Sequence, residues 1–588
     1  MSKGILLLLF IASSIHAQVE ISIDKFNSAS SFYTAFNNGS GTVNTSNNFS
    51  DFVSGNASLQ IDYSFNSGTN YFFSVFKNYS TATKDWSFNS TKFILRHKNG
   101  SNKTVLKLRL WEDINRNGSS DNEDEVFVCS TNITAGQTTW TLSEFLIADF
   151  IKLSGNGNGN LDLNRIRGWD IAIENTSALS HSSQILFDEL LLQSSYTPPT
   201  NSTAKLSGSF VQLWNSNGCS CGQWSLQQWK YEFEKMKDAC MSTFVIQYGV
   251  YNDLSWYSPS NLSFVNYKEN TLNKIFEAAE EKGIHVYVGL YFDENWNSAD
   301  KSSSATYSNL LTKHQKTIDE IYSLFGNSSA FKGWYIPQEI NDLEWQNNPA
   351  KDLLFNWVQN VASYAHSKST NKKVMIAPFF NLWMPADVLK NWYDEFLSIA
   401  TDIDQVFPQD GVGITLKNVN YDVPLFYSKI KEACDAHSVE FGATVESFQQ
   451  LTGWPIDNGN FSAQSADVNR LKTQIWEAQT HNPVEIIQFE WAYMQGDLYS
   501  DYLNYSSCNT TSVIEKQNNE FIIYPNPADH ILHFSSNLEK VKIYNSLGST
   551  LSTYTNCDEI SLNNFDSGIY FIEAEAANKV CKGTFVKQ

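Results

Sequence analysis

The chain has 588 residues, 42% of them hydrophobic and 18% charged, with a formal net charge of −21. This composition is globular, and the length calls for several domains of ~100–200 residues rather than one core. An acidic surface without a local Lys/Arg cluster repels nucleic acid and anionic lipid, which excludes a nucleic-acid partner. The 17 Trp and 27 Tyr offer flat apolar faces of the kind sugar-binding clefts set beside hydroxyl-binding groups, although most rings in any protein fill cores.

The opening MSKGILLLLFIASSIHAQ carries Lys3, an apolar stretch from Ile5 to Ile11 and small residues up to Ala17. It reads as a signal peptide over residues 1–17, too short to cross a bilayer as a helix. No later segment approaches ~18 uninterrupted apolar residues, so no membrane span is expected. Eight cysteines in an exported chain allow disulfides, at a density far below that of a stapled scaffold. Cys219 and Cys221 lack a second Cys/His pair at zinc-like spacing and make a poor metal site.

Residues 19–195 alternate apolar and polar positions in short runs such as SLQIDYSF and VLKLRLW, separated by Asn/Gly/Ser turns. The period of two predicts a β-sandwich of jelly-roll type. Within it, DINRNGSSDNED sets Asp113, Asn115, Asn117, Ser119, Asp121 and Asp124 at positions 1, 3, 5, 7, 9 and 12, with Gly118 at 6. These are the oxygen-ligand positions and the turn glycine of a calcium loop, with Asp124 where a bidentate Glu is usual. The segment resembles calcium loops inserted in extracellular β-domains, and makes a structural Ca²⁺ ion the candidate metal. An acidic, Asn-rich surface turn is the plainer alternative.

A linker at 196–204 contains Pro198-Pro199. From 205 to 497 the period changes, and apolar strands alternate with amphipathic helices: LSGSFVQLW, TFVIQYGVY, IHVYVGLYF, KGWYIPQE, KVMIAPFFN, IDQVFPQD, VEFGATVES and VEIIQFEW. Eight β-then-α units with near-continuous apolar strands predict a (β/α)₈ barrel, and no glycine-rich phosphate loop supports a doubly wound sheet instead.

Functional residues of such a barrel lie at the C-terminal ends of its strands. In chain order these ends carry Gln212 and Trp214, Gln247 and Tyr248, Asp293 and Trp296, Gln338 and Glu339, Asn381, Asp410, Glu446, and Glu490 with Trp491. Amides for hydroxyls, indoles for sugar faces and carboxylates for proton transfer make up the composition of a glycan site. A carboxylate that closes an apolar strand faces a partly desolvated mouth, where its pKa rises toward that of a general acid.

The placement of Glu339 on strand four and Glu446 on strand seven resembles the large clan of retaining (β/α)₈ glycoside hydrolases. That resemblance implies Glu339 as acid/base, Glu446 as nucleophile and Trp491 as a stacking ring, with Gln338 departing from the clan's usual Asn. LSGSFVQLW, QWSLQQWKYEFEKMKDA, STFVIQYGV, GWYIPQEIND and QDGVG resemble the bacterial family of domain of unknown function 4434, which implies a barrel with a carbohydrate-active role.

After a linker at 498–519, residues 520–588 read as a small β-sandwich. YPNPA, VKIYNSLGS, LNNFDSGIYFIEAE and KGTFVKQ resemble the C-terminal sorting domain of the type IX secretion system of Bacteroidota. The resemblance implies that secretion machinery as a partner, and a secreted or surface-attached product. The expectation is an exported glycoside hydrolase without a catalytic cofactor, acting on a glycan with retention. Its rival is a surface protein that binds glycan without turnover.

Overall fold

The computed structural model describes residues 18–508 and 523–587, except 37–40, 69–70, 80–82, 118–119, 122, 135–136, 201, 214–220, 259–262, 267–269, 415–416, 452–461, 525–526, 546–548 and 577–578. The chain divides into two compact units, 1–508 and 509–588. The predicted Trp214 and Ser119 fall outside the described residues, as does the signal peptide.

Residues 19–194 form two antiparallel six-stranded sheets. One carries strands 41–48, 58–65, 181–194, 90–99 and 141–146 in that order, with 19–24 also on 181–194; the other carries 151–154, 126–132, 104–112, 166–175, 72–78 and 33–36. Alternation sets the faces: Leu106, Leu108 and Leu110 are fully buried between the sheets. On the opposite face Lys107 pairs with Glu174 at 2.8 Å and Arg109 with Asp170 at 2.6 Å.

The central strands are β1 (Gly208–Val211), β2 (Thr243–Ile246), β3 (His285–Gly289), β4 (Phe331–Ile336), β5 (Lys373–Ile376), β6 (Gln405–Val406), β7 (Glu440–Phe441 continuing as Ala443–Glu446) and β8 (Ile486–Phe489). Each is followed by a helix: α1 (Leu226–Asp238), α2 (Thr271–Lys282), α3 (Ser304–Phe325), α4 (Ala350–Lys368), α5 (Ala386–Ile399), α6 (Asp422–Ala436), α7 (Val468–Thr480) and α8 (Gly496–Ser506). All pairings are parallel, and the ring closes because β6 pairs with the first part of β7 and β8 with the second. Phe210, Val245, Tyr287, Tyr335, Met375, Phe407 and Ile487 fill the interior, so the barrel is a packed core rather than a pore. The strands read as continuous apolar runs because their other face is also buried, under the helices.

Sandwich and barrel share one compact unit. Asp387 in the first turn of α5 accepts two bonds from Arg116 (3.0 and 3.1 Å) and one from Asn164 (3.2 Å). Asp85 of the sandwich accepts from the Ala386 N–H at the same helix start. Tyr196, just after the sandwich, donates to Glu477 of α7 at 2.7 Å.

The second unit is an antiparallel sheet of five strands, from 523–524 to 579–587, around Leu532, Val541, Ile543, Leu562, Ile572 and Phe585. A disulfide joins Cys240, between α1 and β2, to Cys508, just beyond α8. Cys508→Ser should therefore lower the unfolding free energy of the first unit by about 2–4 kcal/mol, the usual yield of a long closed loop. Chemical denaturation without reductant checks this, and a wild-type midpoint would remove the bridge from the stability of the barrel.

Candidate active site

Glu446 ends β7 and is 5% exposed. Its Oε2 accepts from the N–H groups of Gly413 (2.6 Å) and Ile414 (3.2 Å) in the loop after β6, and Oε1 takes none of these bonds. Gly413 is required there, since a Cβ would stand 2.8 Å from Oε2. Asp410, fully buried just beyond β6, accepts from the backbone N–H groups of Glu446 and Val412, both at 3.2 Å, and from Gln474 of α7 at 2.6 Å.

Asp467 caps α7 by accepting from Asn469 and Arg470. That start sets Arg470 one turn in, where its guanidinium donates to the Glu446 carbonyl at 3.2 Å, and Gln474 a turn later.

Between these carboxylates lies Lys417, 6% exposed, with its ammonium 4.1 Å from the centre of the Phe380 ring. Gly411, at φ +60°, makes room for it, because a Cβ there would come within 2.0 Å of Nζ. Burial lowers the Lys417 pKa, and Glu446, Asp410, Asp342 and Asp422 work against that. Desolvation, then the Asp410 charge, push Glu446 up, while Lys417 and the two N–H groups oppose them. Asp410 is also raised, first by desolvation.

Glu339, three residues past β4, has an exposed side chain without a hydrogen-bond partner among the described residues. Water reaches it, yet the surrounding walls strip enough solvent to raise its pKa, with the Glu344 charge second. Its carbonyl accepts from the Trp296 indole at 3.2 Å. Glu490, 1% exposed past β8, accepts from the Gln212 N–H at 2.7 Å. Its charge reaches Tyr248, whose hydroxyl is raised by burial first, then by Tyr251 and Glu490. Tyr248, Tyr251 and Phe292 form a run of rings, with Phe292 within 19° of parallel to both tyrosines. Tyr251 and Phe292 are half-buried, leaving ring surface open beside the mouth.

Several expected contacts are not made. Trp491 is fully buried and donates to Glu232 of α1 at 2.9 Å, so it packs the barrel wall instead of stacking on a ligand. Trp296 is 2% exposed, stacked on Trp345 and Trp357. In both cases the indole N–H found a buried acceptor, and the ring followed it inside. Gln338 is buried and donates to the Tyr291 carbonyl at 2.8 Å, tying β4 to the end of β3. Asp293 accepts from the Tyr291 hydroxyl at 2.5 Å and from the Asn295 N–H at 3.0 Å, and lines a separate cavity beside α3. Gln247 and Asn381 are half-buried, each with a buried side-chain oxygen lacking a partner among the described residues.

Sequence reasoning missed Lys417, Asp342, Arg470, Gln474, Tyr251 and Phe292. Asp342 was within reach as the last residue of KGWYIPQEIND, and the two rings as the aromatics that close strands two and three. The others belong to loops and a helix that only the folded chain brings to β6 and β7.

In the loop from Asp113 to Asp124, Asn115 and Asn117 both donate to Asp121 at 2.8 Å, and Asp113 accepts from the Asn117 N–H at 3.1 Å. Asp124 accepts from Ile114 and Asp121 and lies 3.7 Å from Arg167. Among the described residues no three His, Cys, Asp or Glu side chains gather as a metal cluster.

Asp342 accepts from the N–H groups of Asn381 (2.8 Å), Trp383 (2.8 Å) and Met384 (3.1 Å), and so shapes the loop after β5 from the loop after β4. Asp342→Ala should cost about 3 kcal/mol, since three buried donors lose a charged acceptor, and Asp342→Asn clearly less. Urea unfolding of both variants checks this. A loss under about 0.5 kcal/mol for Asp342→Ala, the range of a neutral surface change, would show that the loop is held by something else.

Residues 206–497 match the family described as Domain of unknown function (DUF4434), and residues 522–588 match the Secretion system C-terminal sorting domain. The uncharacterized protein YbcH of Escherichia coli (strain K12) is 28% identical over 190 residues, so the match spans 32% of this chain and 60% of that protein's length. A putative alpha-L-fucosidase from Bacteroides thetaiotaomicron VPI-5482 is similar at TM-score 0.44 and 19% identity, over 53% of this chain and 95% of that one. The family 11 carbohydrate-binding module of the cellulosomal cellulase Lic26A-Cel5E of Clostridium thermocellum is similar at TM-score 0.23 and 20% identity, over 30% and 95%.

Proposed function

We propose that this chain, whose barrel belongs to the DUF4434 family and whose tail is a secretion sorting domain that marks it for export to the surface or the medium, is a glycoside hydrolase. One observation supports this most. Two carboxylates end β4 and β7, and they differ in state: the Glu339 side chain is open to water and takes no hydrogen bond from the described residues, while Glu446 is held by two backbone N–H groups. In the proposed reaction Glu339 protonates the departing glycosidic oxygen, and the desolvation and Glu344 charge that raise its pKa favour the acid form that role needs. Glu446 attacks the anomeric carbon, and the N–H groups and Lys417 favour the ionised form that attack needs. Glu339 then takes a proton from the water that releases the sugar, giving retention. Gln212, Gln247, Asn381 and Glu490 are the proposed hydroxyl-binding groups, and Tyr248 with its neighbouring rings the sugar-stacking surface.

A second reading rests on its own observation. The leading charge on Glu339 is that of Glu344, and the leading charges on Glu446 are Asp410 and Lys417, so neither catalytic candidate dominates the other's environment. Carboxylates ~5–5.5 Å apart would raise each other. A wider spacing suits inversion, or a mouth that holds glycan without cleaving it.

A screen of the purified chain against polysaccharides, reading new reducing ends, finds the substrate. On it, Glu446→Gln should lower kcat at least about 1,000-fold with little change in binding, because only a step after binding is lost. Glu339→Gln should lose far less rate on an aryl glycoside, whose leaving group needs no proton. Full activity in both variants would shift the chemistry to Asp410 and Glu490, and inversion of the first-formed product, read by proton NMR, would replace the nucleophile by a base.

With Glu446 pushed up to about 7, kcat/KM should rise with pH through neutrality as the carboxylate forms. Asp410→Asn removes a neighbouring negative charge, which stabilises the ionised form and moves that limb to lower pH by about one unit. A limb that stayed in place would separate Glu446 from the rate-determining ionisation.

Calcium in the loop from Asp113 to Asp124 is part of the same proposal, supported by its oxygen-donor spacing and by side chains that already turn toward one another. Millimolar calcium should raise the melting midpoint of the full chain and excess chelator reverse it. Superimposable curves would leave the segment a surface turn.

A further inference from the structure

A cavity of about 550 Å³ opens where the sandwich meets the barrel, a size that suits an oligosaccharide of a few units. Its wall takes Asn117 from the sandwich, Gln346 and Asn347 from the loop after β4, Trp383 from the loop after β5, and Asn391 from α5. We infer that this cavity is a glycan-chain subsite built jointly by the two modules, for a neutral polysaccharide whose scissile bond lies at Glu339. The inference rests on the glycosidase reading and extends it to a substrate class.

Charge on the wall is already spoken for, which selects an uncharged ligand. Arg116 makes both its bonds of 3.0 and 3.1 Å to Asp387, and Lys351 pairs with Glu395 at 2.7 Å. Asp113 turns into its own loop and accepts from the Asn117 N–H. What remains toward the space is uncharged: amides with the hydroxyl residues Tyr79 and Thr83 as donors and acceptors for sugar hydroxyls, and indole with Met384, Pro385 and Val388 as apolar surface for the C–H side of a sugar ring. A uronate or sulfated chain would have to break an existing ion pair to be neutralised.

The space is preformed. Asp342 fixes the Trp383 loop at Asn381, Trp383 and Met384 through their backbone N–H groups, and Asp85 and Arg116 of the sandwich hold the start of α5 on the other side. A ligand entering it has little wall to order, which favours affinity. The position follows from chain order: the loop that carries Glu339 continues through Asp342 to Gln346 and Asn347. A polysaccharide engaged at Glu339 therefore has its next binding surface on the β4/β5 side, where the sandwich supplies the far wall.

The test is native affinity electrophoresis of the full chain in gels containing barley mixed-linkage β-glucan, arabinoxylan or galactomannan, with polygalacturonate as the acidic comparison. The wild type should be retarded by a neutral polymer and not by polygalacturonate. Trp383→Ala should weaken that retardation at least tenfold, and Asn391→Trp, at an exposed helix position, should do the same by filling the space. Glu446→Gln should be retarded like the wild type. Melting midpoints establish that both cavity variants fold; if Trp383→Ala does not, Asn391→Trp decides alone. Undiminished retardation of the folded variants overturns the subsite and leaves the hydrolase reading intact. A wild type retarded only by polygalacturonate overturns the neutral-chain assignment. No retardation by any polymer overturns subsite and glycan reading together.

Discussion

The mouth of the barrel is organised around one buried ammonium. Lys417 answers four acidic side chains, Glu446, Asp410, Asp342 and Asp422, that come from the ends of β7 and β6, the loop after β4 and the start of α6. Removing several like charges from water together carries a penalty of several kcal/mol per ion unless a counter-charge and hydrogen bonds offset it. Here backbone N–H groups supply the bonds and Lys417 the charge. This arrangement fixes where the loops after β4, β5 and β6 run, because each is threaded past a carboxylate it must satisfy. Glu339 stands outside this network and faces water.

The division between legible and illegible features follows the range of the forces involved. Strand and helix positions were readable because their burial repeats along the chain: Leu106, Leu108 and Leu110 alternate with charged neighbours in the sandwich, and the barrel strands are apolar on both faces. The carboxylates at the ends of β4 and β7 were readable for the same reason, as charges that terminate apolar runs. Ring orientation was not. Trp491, two positions past β8, and Trp296, in the loop after β3, stand where a sugar-stacking role is reasonable, but their indole N–H groups are held by Glu232 and the Glu339 carbonyl. A hydrogen bond to a residue 43 or 259 positions away decides that, and no local pattern announces it. Lys417 was invisible likewise, since in sequence it is one lysine in a polar loop.

The sandwich and the barrel are joined by contacts at the barrel face where the strands end. Arg116, Asn164 and Asp85 of the sandwich meet the first turn of α5, whose exposed N–H groups and partial positive charge need such partners in any case. Docking therefore uses a helix end that the barrel already had to cap. The sandwich is held against the start of α5 rather than carried on a free tether.

The disulfide between Cys240 and Cys508 has a mechanical meaning. Residues 509–521 separate Cys508 from the sorting domain, so a pull on that domain enters the first unit at residue 508. Without the bridge, tension would peel α8 from the barrel one turn at a time, the easiest way to unfold a terminal helix. With it, the load passes through a covalent bond to the junction of α1 and β2 and spreads into the parallel strands. Tension entering from the sorting tail is then carried into the core of the barrel, and the strand ends at its mouth keep their geometry.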